Sequence, residues 1–141
     1  MTLTIRPATI EDEAPVVALW RSCGLIVSHN DPVADFRFAQ TGDTSAILLG
    51  EQGEVIVGAV MVGHDGHRGW LYYLAAAPDR RGHGVGQSIV EAAERWLAAR
   101  GVRKVQLMIR PTNIAVARFY DRLGYAEEPR VVTAKWLTPP A

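Results

Sequence analysis

A glycine-rich turn in the second half of the chain has the composition of a phosphate-binding loop. It reads Arg80-Arg81-Gly82-His83-Gly84-Val85-Gly86 and lies between an apolar segment and an amphipathic one. Glycine lets a backbone turn tightly and approach a ligand closely. A helix that begins in such a turn has a partial positive charge at its N-terminus, and arginine adds forked donors. We therefore expect an anionic, phosphate-bearing ligand here; an ordinary glycine-rich connection is the alternative.

Two common phosphate loops do not fit this turn. The dinucleotide fingerprint G-x-G-x-x-G, started at Gly82, needs a glycine where Gln87 stands. Started at Gly84, the same fingerprint would end on Ile89. The nucleoside-triphosphate loop needs Gly-Lys followed by Ser or Thr, and the sequence contains no such tripeptide. The ligand is therefore expected to be bound by a different kind of loop.

Residues Arg81 to Gly86 resemble the Arg/Gln-x-x-Gly-x-Gly/Ala pyrophosphate loop of the GNAT acetyltransferase superfamily. About thirty residues later, Asn113 and the run Phe119-Tyr120-Asp121-Arg122-Leu123-Gly124-Tyr125 resemble the second motif of that family. The similarity extends over nearly the whole chain. Three shorter segments, Asn30-Asp31-Pro32, Asp65-Gly66-His67-Arg68-Gly69 and Tyr72-Tyr73-Leu74, are similar to a bacterial YpeA-like subgroup.

The order of elements agrees with an α/β (α+β) fold. Periodicity and turn residues predict helices from about Asp12 to Gly24, through Phe36 to Ala39, over Gly84 to Arg100 and over Asn113 to Leu123. They predict strands over Leu3–Arg6, Ser45–Leu49, Val55–Val62, Trp70–Ala77, Lys104–Ile109 and Val131–Trp136. The resemblance implies a mixed, mostly antiparallel sheet with helices on both faces. This sheet would splay between its fourth and fifth strands, Trp70–Ala77 and Lys104–Ile109.

The resemblance implies acetyl-CoA as the cosubstrate and no metal. The backbone of Leu74, Ala75 and Ala76 would pair with the pantetheine amides, and an N–H near Leu74 would polarise the thioester carbonyl. The pyrophosphate would be held by Arg81 and by the amides of Gly82, His83, Gly84, Val85 and Gly86. Asn113 would contact the cofactor, although a helix N-cap is an equally ordinary role for it.

Tyr120 matches the family tyrosine beside the cofactor sulfur. Core packing is the alternative role, because Ala117, Tyr120 and Leu123 share a helical face. A phenol with a pKa near ~10 is a weaker acid than a thiol near ~8.5, so full proton donation to the leaving thiolate is uphill. A hydrogen bond that stabilises the departing sulfur is therefore the expected contribution of Tyr120.

The sequence does not identify the residue that acts as general base, because residues 66–77 contain no acid where many family members carry a glutamate. Deprotonating an alkyl ammonium at neutral pH costs about 4–5 kcal/mol, so a base is expected. The candidates are His67, Asp65 and Asp31, with His67 first because histidine ordinarily takes up a proton near neutral pH. Each of these residues also has a structural alternative. Asp31 could cap a helix, Asp65 could stabilise a turn, and His67 could lie in a solvated loop. Asp31 is also a candidate contact of the substrate. His64 and His67 lack the further ligands of a metal site.

Composition limits the class of protein. With 141 residues, 48% of them apolar and 21% charged, the chain is expected to form a single domain over 1–141. Residues 1–65 carry a net charge of −6 and residues 66–141 one of +6, a pattern unlike the overall basic footprint of nucleic-acid binders. No apolar run approaches a membrane span, and Met1 to Arg6 lacks the order of a signal peptide. A single cysteine fits a reducing compartment, so we expect a cytoplasmic protein.

The expected function is therefore an N-acetyltransferase that moves acetyl from acetyl-CoA to a primary amine by direct attack in a ternary complex. Cys23, which lies on the apolar stripe of the first helix, is no plausible covalent nucleophile. The alternatives are a non-catalytic module that binds or senses acyl-CoA, and an acetyltransferase for protein N-termini or lysines. The acceptor amine and the oligomeric state, with a homodimer as one assembly to consider, are left open by the sequence.

Overall fold

The computed structural model describes residues 2–140, so Met1 and Ala141, the ends of the predicted domain, lie outside the described residues. The chain divides into two compact units, one extending to Leu107 and one starting at Met108. The first unit carries the sheet and most of the helices, and the second carries a helix that contains Tyr120.

The first unit is built on a mixed five-stranded sheet. Its strands are β1 (Leu3–Pro7), β2 (Ser45–Gln52), β3 (Val55–His64), β4 (Gly69–Ala76) and β5 (Val105–Gln106), in that spatial order. The pairings from β1 to β4 are antiparallel, and β5 joins β4 in parallel. The predicted mostly antiparallel sheet is therefore confirmed, and its strands β2 and β3 form a hairpin.

Local sequence explains where the helices of the first unit begin. They are α1 (Glu13–Ser22), preceded by a 3-10 turn over Ile10–Asp12, then α2 (Pro32–Thr41) and α3 (Val85–Ala99). Asp31 is the N-cap of α2, since its Oδ1 accepts hydrogen bonds from the amides of Val33 and Ala34 at 3.1 Å. Pro32 follows as the first helical residue, where its missing N–H costs nothing.

Helices cover both faces of the sheet. Trp20 of α1 and Phe36 of α2 are fully buried in one core with Ile47 and Leu49 of β2. The next residue along β2, Gly50, points the other way, and a Cβ built on it would meet Ile89 of α3 at 3.0 Å. Because side chains alternate across a strand, α3 lies on the face opposite α1 and α2.

Two glycines let α3 approach the sheet closely. A Cβ on Gly58 of β3 would lie 2.7 Å from Val85 Cγ1, at the start of α3. A Cβ on Gly69, the first residue of β4, would lie 2.6 Å from Leu97 Cδ1, near the end of the helix. Real Cβ atoms do not approach that closely, so both glycines are needed for this packing.

The second unit contains α4 (Ile114–Arg122), as expected from its apolar periodicity. The strand predicted over Val131–Trp136 is wrong: within residues 2–140 this segment adopts neither strand nor helix. Val131 is 90% exposed and Val132 is 64% exposed, so the apolar residues there are not buried as a core strand would require. An apolar run without burial is insufficient to specify a strand.

Candidate active site

A β-bulge interrupts β4 at Tyr73 and Leu74. Tyr72 is in register with Met61 and Ala75 with Ala59, so two residues of β4 lie opposite the single residue Val60 of β3. Tyr73 has a φ of 55°, the one positive value among the described non-glycine residues. Such a conformation is costly for a bulky residue and persists where surrounding contacts hold it.

The bulge shifts the direction of the β4 backbone groups by one residue. Before it, the amide of Gly69 donates to Lys104 O at 2.8 Å, toward β5; after it, the amide of Ala77 donates to Val57 O at 2.8 Å, toward β3. In a regular strand, residues 69 and 77 would face the same side. The backbone groups of Ala76 are therefore directed away from β3, whereas those of Ala75 are directed at it.

A contact of Cys23 agrees with this assignment. Its thiol donates to the carbonyl oxygen of Ala76 at 3.2 Å, from the C-terminal end of α1. The carbonyl of Ala76 therefore points out of the β3–β4 ladder.

The strand β5 follows β4 only at its beginning. The parallel register consists of Gly69 with Val105 and Trp70 with Gln106, and the predicted continuation of β5 to Ile109 is not a strand. From Leu71 to Ala76 this edge of β4 has no strand neighbour in the described sheet. The predicted splay between the fourth and fifth strands is thus confirmed, and it exposes the edge that Ala76 faces.

Two side chains hold the bulge from the α1–α2 face. The Tyr73 ring stacks on Trp20 with centroids 4.1 Å apart and planes inclined by 16°. The Tyr73 hydroxyl donates to Asp35 Oδ2 of α2 at 2.7 Å. Burial and this bond to a carboxylate raise the pKa of Tyr73, so the hydroxyl stays protonated and keeps donating.

The glycine-rich turn connects the end of β4 to α3. Gly82 has a φ of 82° and Gly84 a φ of 78°, and a Cβ on either would meet no atom within 4 Å. Gly84 is the N-cap of α3 and brings no capping side chain, and Ser88 N makes the first helical bond to Gly84 O at 3.0 Å. The first amides of α3 therefore have no partner within the helix, which suits an anion.

The two arginines of the turn differ in their surroundings. Arg80 is tied to the protein, because its guanidinium donates to Gln52 Oε1 at 2.9 Å and to Asp79 Oδ2 at 3.1 Å. The side chain of Arg81 is exposed beside Gly82. Arg80 therefore attaches the turn to β2, and Arg81 is the arginine better placed to meet a ligand.

The predicted residues of the second motif lie in the second unit. Asn113 caps α4, its Oδ1 accepting from Val116 N at 3.3 Å, so the N-cap interpretation is confirmed. Tyr120 is 5% exposed and makes edge contacts with Phe119 and Tyr125, at centroid distances of 5.0 and 5.2 Å. Burial raises the pKa of Tyr120 to about 12, so it can donate a hydrogen bond but not readily give up its proton.

The candidate bases occupy a turn and a cap. Asp65 Oδ1 accepts from Arg68 N at 2.7 Å and His67 N at 2.9 Å, and its Oδ2 accepts from Trp70 Nε1 at 3.3 Å. These bonds lower the pKa of Asp65 to about 2, which makes it a weak base. His67 is exposed in the same turn, and Asp31 caps α2 as described.

A cleft of about 340 Å³ lies beside this turn. It is lined by residues 61–65 together with Ser45, Trp70 and Tyr72, and thus by three neighbouring strands and the turn. The candidate Asp65 is brought to this cleft, whereas His67 and Asp31 are not among its lining residues. Sequence reasoning did not select Tyr72; the alternation of side chains along β4, which places Tyr72 on the same face as Trp70, is the signal that could have done so.

His64 borders the cleft at the end of β3, but its ring is directed to the other face of the sheet, where its centroid lies 6.5 Å from that of Trp96 on α3. The amide of Gly66 donates to its Nδ1 at 3.2 Å, so this nitrogen acts as an acceptor. These contacts give His64 a structural role beside the cleft.

Residues 2–140 contain no group of three or more His, Cys, Asp or Glu side chains arranged to hold a metal ion. None of the helices there is long and apolar enough to cross a membrane.

Comparison with known proteins gives one consistent result. The model of the acetyltransferase (GNAT) family matches residues 11–125. An acetyltransferase of Yersinia pseudotuberculosis is 37% identical over 135 residues, which is 96% of both chains. An acetyltransferase of Pectobacterium atrosepticum is 40% identical over 123 residues, 87% of both chains.

Solved structures agree at the level of the fold. The aminoglycoside N-acetyltransferase AAC(6')-Iy in complex with CoA has a TM-score of 0.84 and 20% identity, over 96% of this chain and 95% of that one. A protein from Bacillus halodurans described as a transcriptional regulator has a TM-score of 0.79 and 22% identity, covering 96% of this chain and all of its own.

Proposed function

The chain belongs to the GNAT acetyltransferase family and is an acetyl-CoA-dependent N-acetyltransferase, and we propose that it acetylates a primary amine by direct attack in a ternary complex. The observation that carries this proposal is the bulged, unpaired edge of β4, which ends at a glycine-rich helix start. A strand edge and a helix N-terminus suit the amide-bearing arm and the diphosphate of one elongated molecule.

The proposal assigns cofactor contacts to backbone groups of the first unit. Leu74 and Ala76 are assigned to the open edge, where their backbone groups would pair with the pantetheine amides. The Leu74 amide, at the bulge, would polarise the thioester carbonyl. Ala75 faces β3 with its backbone, so the proposal gives the edge contacts to its two neighbours.

The diphosphate is assigned to the turn that follows. The amides from Gly82 to Gly86, which include those of His83 and Val85, would donate to it, and Arg81 would add a positive charge. The positive φ values of Gly82 and Gly84 and the open space around both support this assignment. Asn113 is proposed as a further cofactor contact in addition to its role as a cap.

The chemical step needs no covalent enzyme intermediate. The amine nitrogen bonds to the acetyl carbon while the carbon–sulfur bond breaks with its electron pair going to sulfur; the amine loses one proton to the base, and the departing thiolate takes a proton from water. Tyr120 is proposed to stabilise the departing sulfur by a hydrogen bond, consistent with its raised pKa. His67 is the proposed final acceptor of the amine proton, which would reach it through intervening water, since Asp65 has a pKa of about 2 and the Asp31 carboxylate is used in capping.

The proposal gives Cys23 no covalent role, because its thiol is in contact with the carbonyl oxygen of Ala76, to which it donates at 3.2 Å. We further propose that the two units act as one acetyltransferase domain, because the family match at 11–125 crosses their boundary. A cytoplasmic location is proposed on the single cysteine.

Two-substrate kinetics tests the mechanism. With an amine chosen from a thiol-release screen, initial rates at varied acetyl-CoA and amine should give intersecting double-reciprocal lines. Cys23→Ala should retain turnover. Parallel lines, or loss of turnover in Cys23→Ala while CoA still raises the Tm, would contradict direct attack. Intact-mass analysis of peptides incubated with acetyl-CoA separates a small-molecule acceptor from protein N-termini or lysines.

A further inference from the structure

The cleft beside β4 combines an anionic group with two aromatic rings. Trp70 and Tyr72 project from the same face of β4, with ring centroids 6.4 Å apart and planes inclined by 20°. Aromatic faces attract a cation within ~6 Å of the ring centroid. Tyr72 is 43% exposed, so its ring is open to a ligand.

The carboxylate of Asp65 is held in place and has remaining acceptor capacity. Its Oδ1 accepts two backbone amides, while its Oδ2 accepts one long bond of 3.3 Å from Trp70 Nε1. A carboxylate offers about four lone-pair sites. The oxygen next to the indole can therefore accept from an ammonium group without breaking the turn.

The described lining of the cleft contains no lysine or arginine that would neutralise this carboxylate. The one basic residue in that lining is His64, whose ring is directed to the other face of the sheet, 6.5 Å from the ring of Trp96 on α3. An apolar wall is supplied by Met61. The lining thus combines aromatic and aliphatic surface with one negative charge, the composition of a site for an organic cation.

The position of the cleft along β4 separates it from the proposed acetyl-transfer point. Trp70 precedes Leu74 by four residues, one of which is the extra residue of the bulge, so the separation along the strand is about three regular steps, or roughly 10 Å. Tyr72 lies between them, next to the bulge. An amine that reacts near Leu74 would reach Asp65 only with a group at its far end.

We propose that this cleft binds a second positive charge on the acceptor, so that the substrates are diamines or larger organic cations in which one amine is acetylated. The proposal rests on the proposed function for the position of the reacting amine. The second charge would lie on the order of 10 Å from the acetylated nitrogen, given the strand spacing.

The direct test uses probes that cannot be acetylated. Choline and 3,3-dimethylbutan-1-ol have nearly the same shape, but only choline is charged. Isothermal titration into the protein with CoA present should show choline binding at least about tenfold more tightly, as expected where a carboxylate and aromatic faces act together. Equal binding of the two probes, or binding of the alcohol alone, would overturn the proposal.

Substitutions in the cleft test whether the preference for choline over the alcohol arises there. Asp65→Asn keeps an oxygen for the two turn amides and removes the charge, so the choline preference should fall by about fivefold or more. Tyr72→Leu should reduce it as well, whereas Tyr72→Phe, which keeps the ring, should not. The matched controls are Glu91→Gln on α3 and Phe38→Leu on α2, which remove an exposed charge and an exposed ring elsewhere and should leave the preference unchanged.

Turnover provides a second test that separates the two proposals. In a series of linear α,ω-diamines from propane to dodecane, kcat/KM relative to the matching monoamine should rise to at least about tenfold for the longer members. A ratio near one for every length, with CoA binding and monoamine acetylation intact, would overturn the cation site and leave the proposed function standing. Loss of thiol release with every amine, despite a preserved choline preference, would instead contradict the proposed function.

Discussion

The hydroxyl of Tyr73 donates a 2.7 Å hydrogen bond to Asp35 Oδ2 and thereby joins the bulged residue of β4 to helix α2. The ring of the same tyrosine stacks on Trp20, so both helices of that face contact the bulge. Because Tyr73 occupies a positive φ, these contacts oppose its relaxation to an ordinary strand conformation. They therefore determine where the neighbouring Leu74 amide points.

The first prediction concerns this contact. Tyr73→Phe keeps the ring and removes the bond to Asp35, so the bulge should open more often. Amide hydrogen exchange across residues 72–76 should become about tenfold faster, as expected for loss of a hydrogen bond to a charged group. Tyr72→Phe is the control on the adjacent residue and should leave exchange unchanged. Unaltered exchange in Tyr73→Phe would show that the Trp20 stack suffices.

The second prediction tests the glycine-rich turn. Gly84→Leu places a side chain at a φ of 78° in open space, so it should cost about 1–2 kcal/mol and also obstruct ligand approach. Gly101→Leu is a matched control, because Gly101 has a φ of 82° and open space but follows α3. Both variants should melt a few degrees lower than the wild type. Only Gly84→Leu should lose the rise in Tm that CoA produces by binding the native state.

An equal response of both variants to CoA would remove the turn from the cofactor site. The nucleotide specificity of the same assay is informative as well. NAD and ATP should stabilise the protein much less than CoA, because neither of their common binding motifs is present in the turn.

The third prediction concerns Tyr120. Tyr120→Phe removes the hydroxyl that is proposed to stabilise the departing sulfur, so kcat should fall by about 10- to 1000-fold. CoA affinity should stay within a few-fold, because the bond strengthens as charge develops on sulfur. Tyr125→Phe removes the hydroxyl of a ring 5.2 Å away and should leave kcat within about twofold. Lower stability with unchanged kcat would assign Tyr120 to packing alone.

The fourth prediction concerns acid stability. The Asp12 carboxylate binds the Arg6 guanidinium at 2.8 and 3.0 Å and the Thr9 amide at 2.7 Å, and these bonds lower its pKa from 3.8 to about 2. A lowered pKa in the folded state means that the stabilisation is complete above the unfolded-state pKa and is lost as the pH falls toward 2. Asp12→Asn should therefore cost about 1–2 kcal/mol near neutral pH.

Urea unfolding of both proteins checks this sign. The difference in the free energy of unfolding between wild type and Asp12→Asn should shrink as the pH is lowered to about 3. A difference that is independent of pH would mean that the Arg6 contact contributes through geometry and not through the carboxylate charge.

Local sequence determined much of what could be predicted. The cap at Asp31, the periodic helix that follows Gly84 and the hairpin between β2 and β3 depend on residues close together in the chain. The Tyr73–Asp35 bond joins residues 38 positions apart, and no local pattern marks it. The cleft likewise gathers side chains from three strands, so it exists only once their register is known.

The wrong prediction of a strand over Val131–Trp136 also follows from the difference between local and long-range information. The apolar residues of this segment satisfied a local rule, but a strand is stabilised by cross-strand partners and by burial, and neither is a property of the segment itself. For Asp65, position in the sequence suggested a base, whereas the hydrogen bonds that lower its pKa became visible only with the turn in place. The YpeA-like subgroup remains a prediction.

The length of helix α3 fixes the spacing between two parts of the first unit. The helix begins at the glycine-rich turn, and its last turn places Leu97 against Gly69, where β4 pairs with β5. Fifteen residues of helix span about 22 Å. Deleting one residue within α3 would shorten this span by about 1.5 Å and rotate Leu97 by roughly 100° away from Gly69. The length of α3 therefore sets the distance between the glycine-rich turn and the paired beginnings of β4 and β5. A change of one residue in that length would break the contact between Leu97 and Gly69.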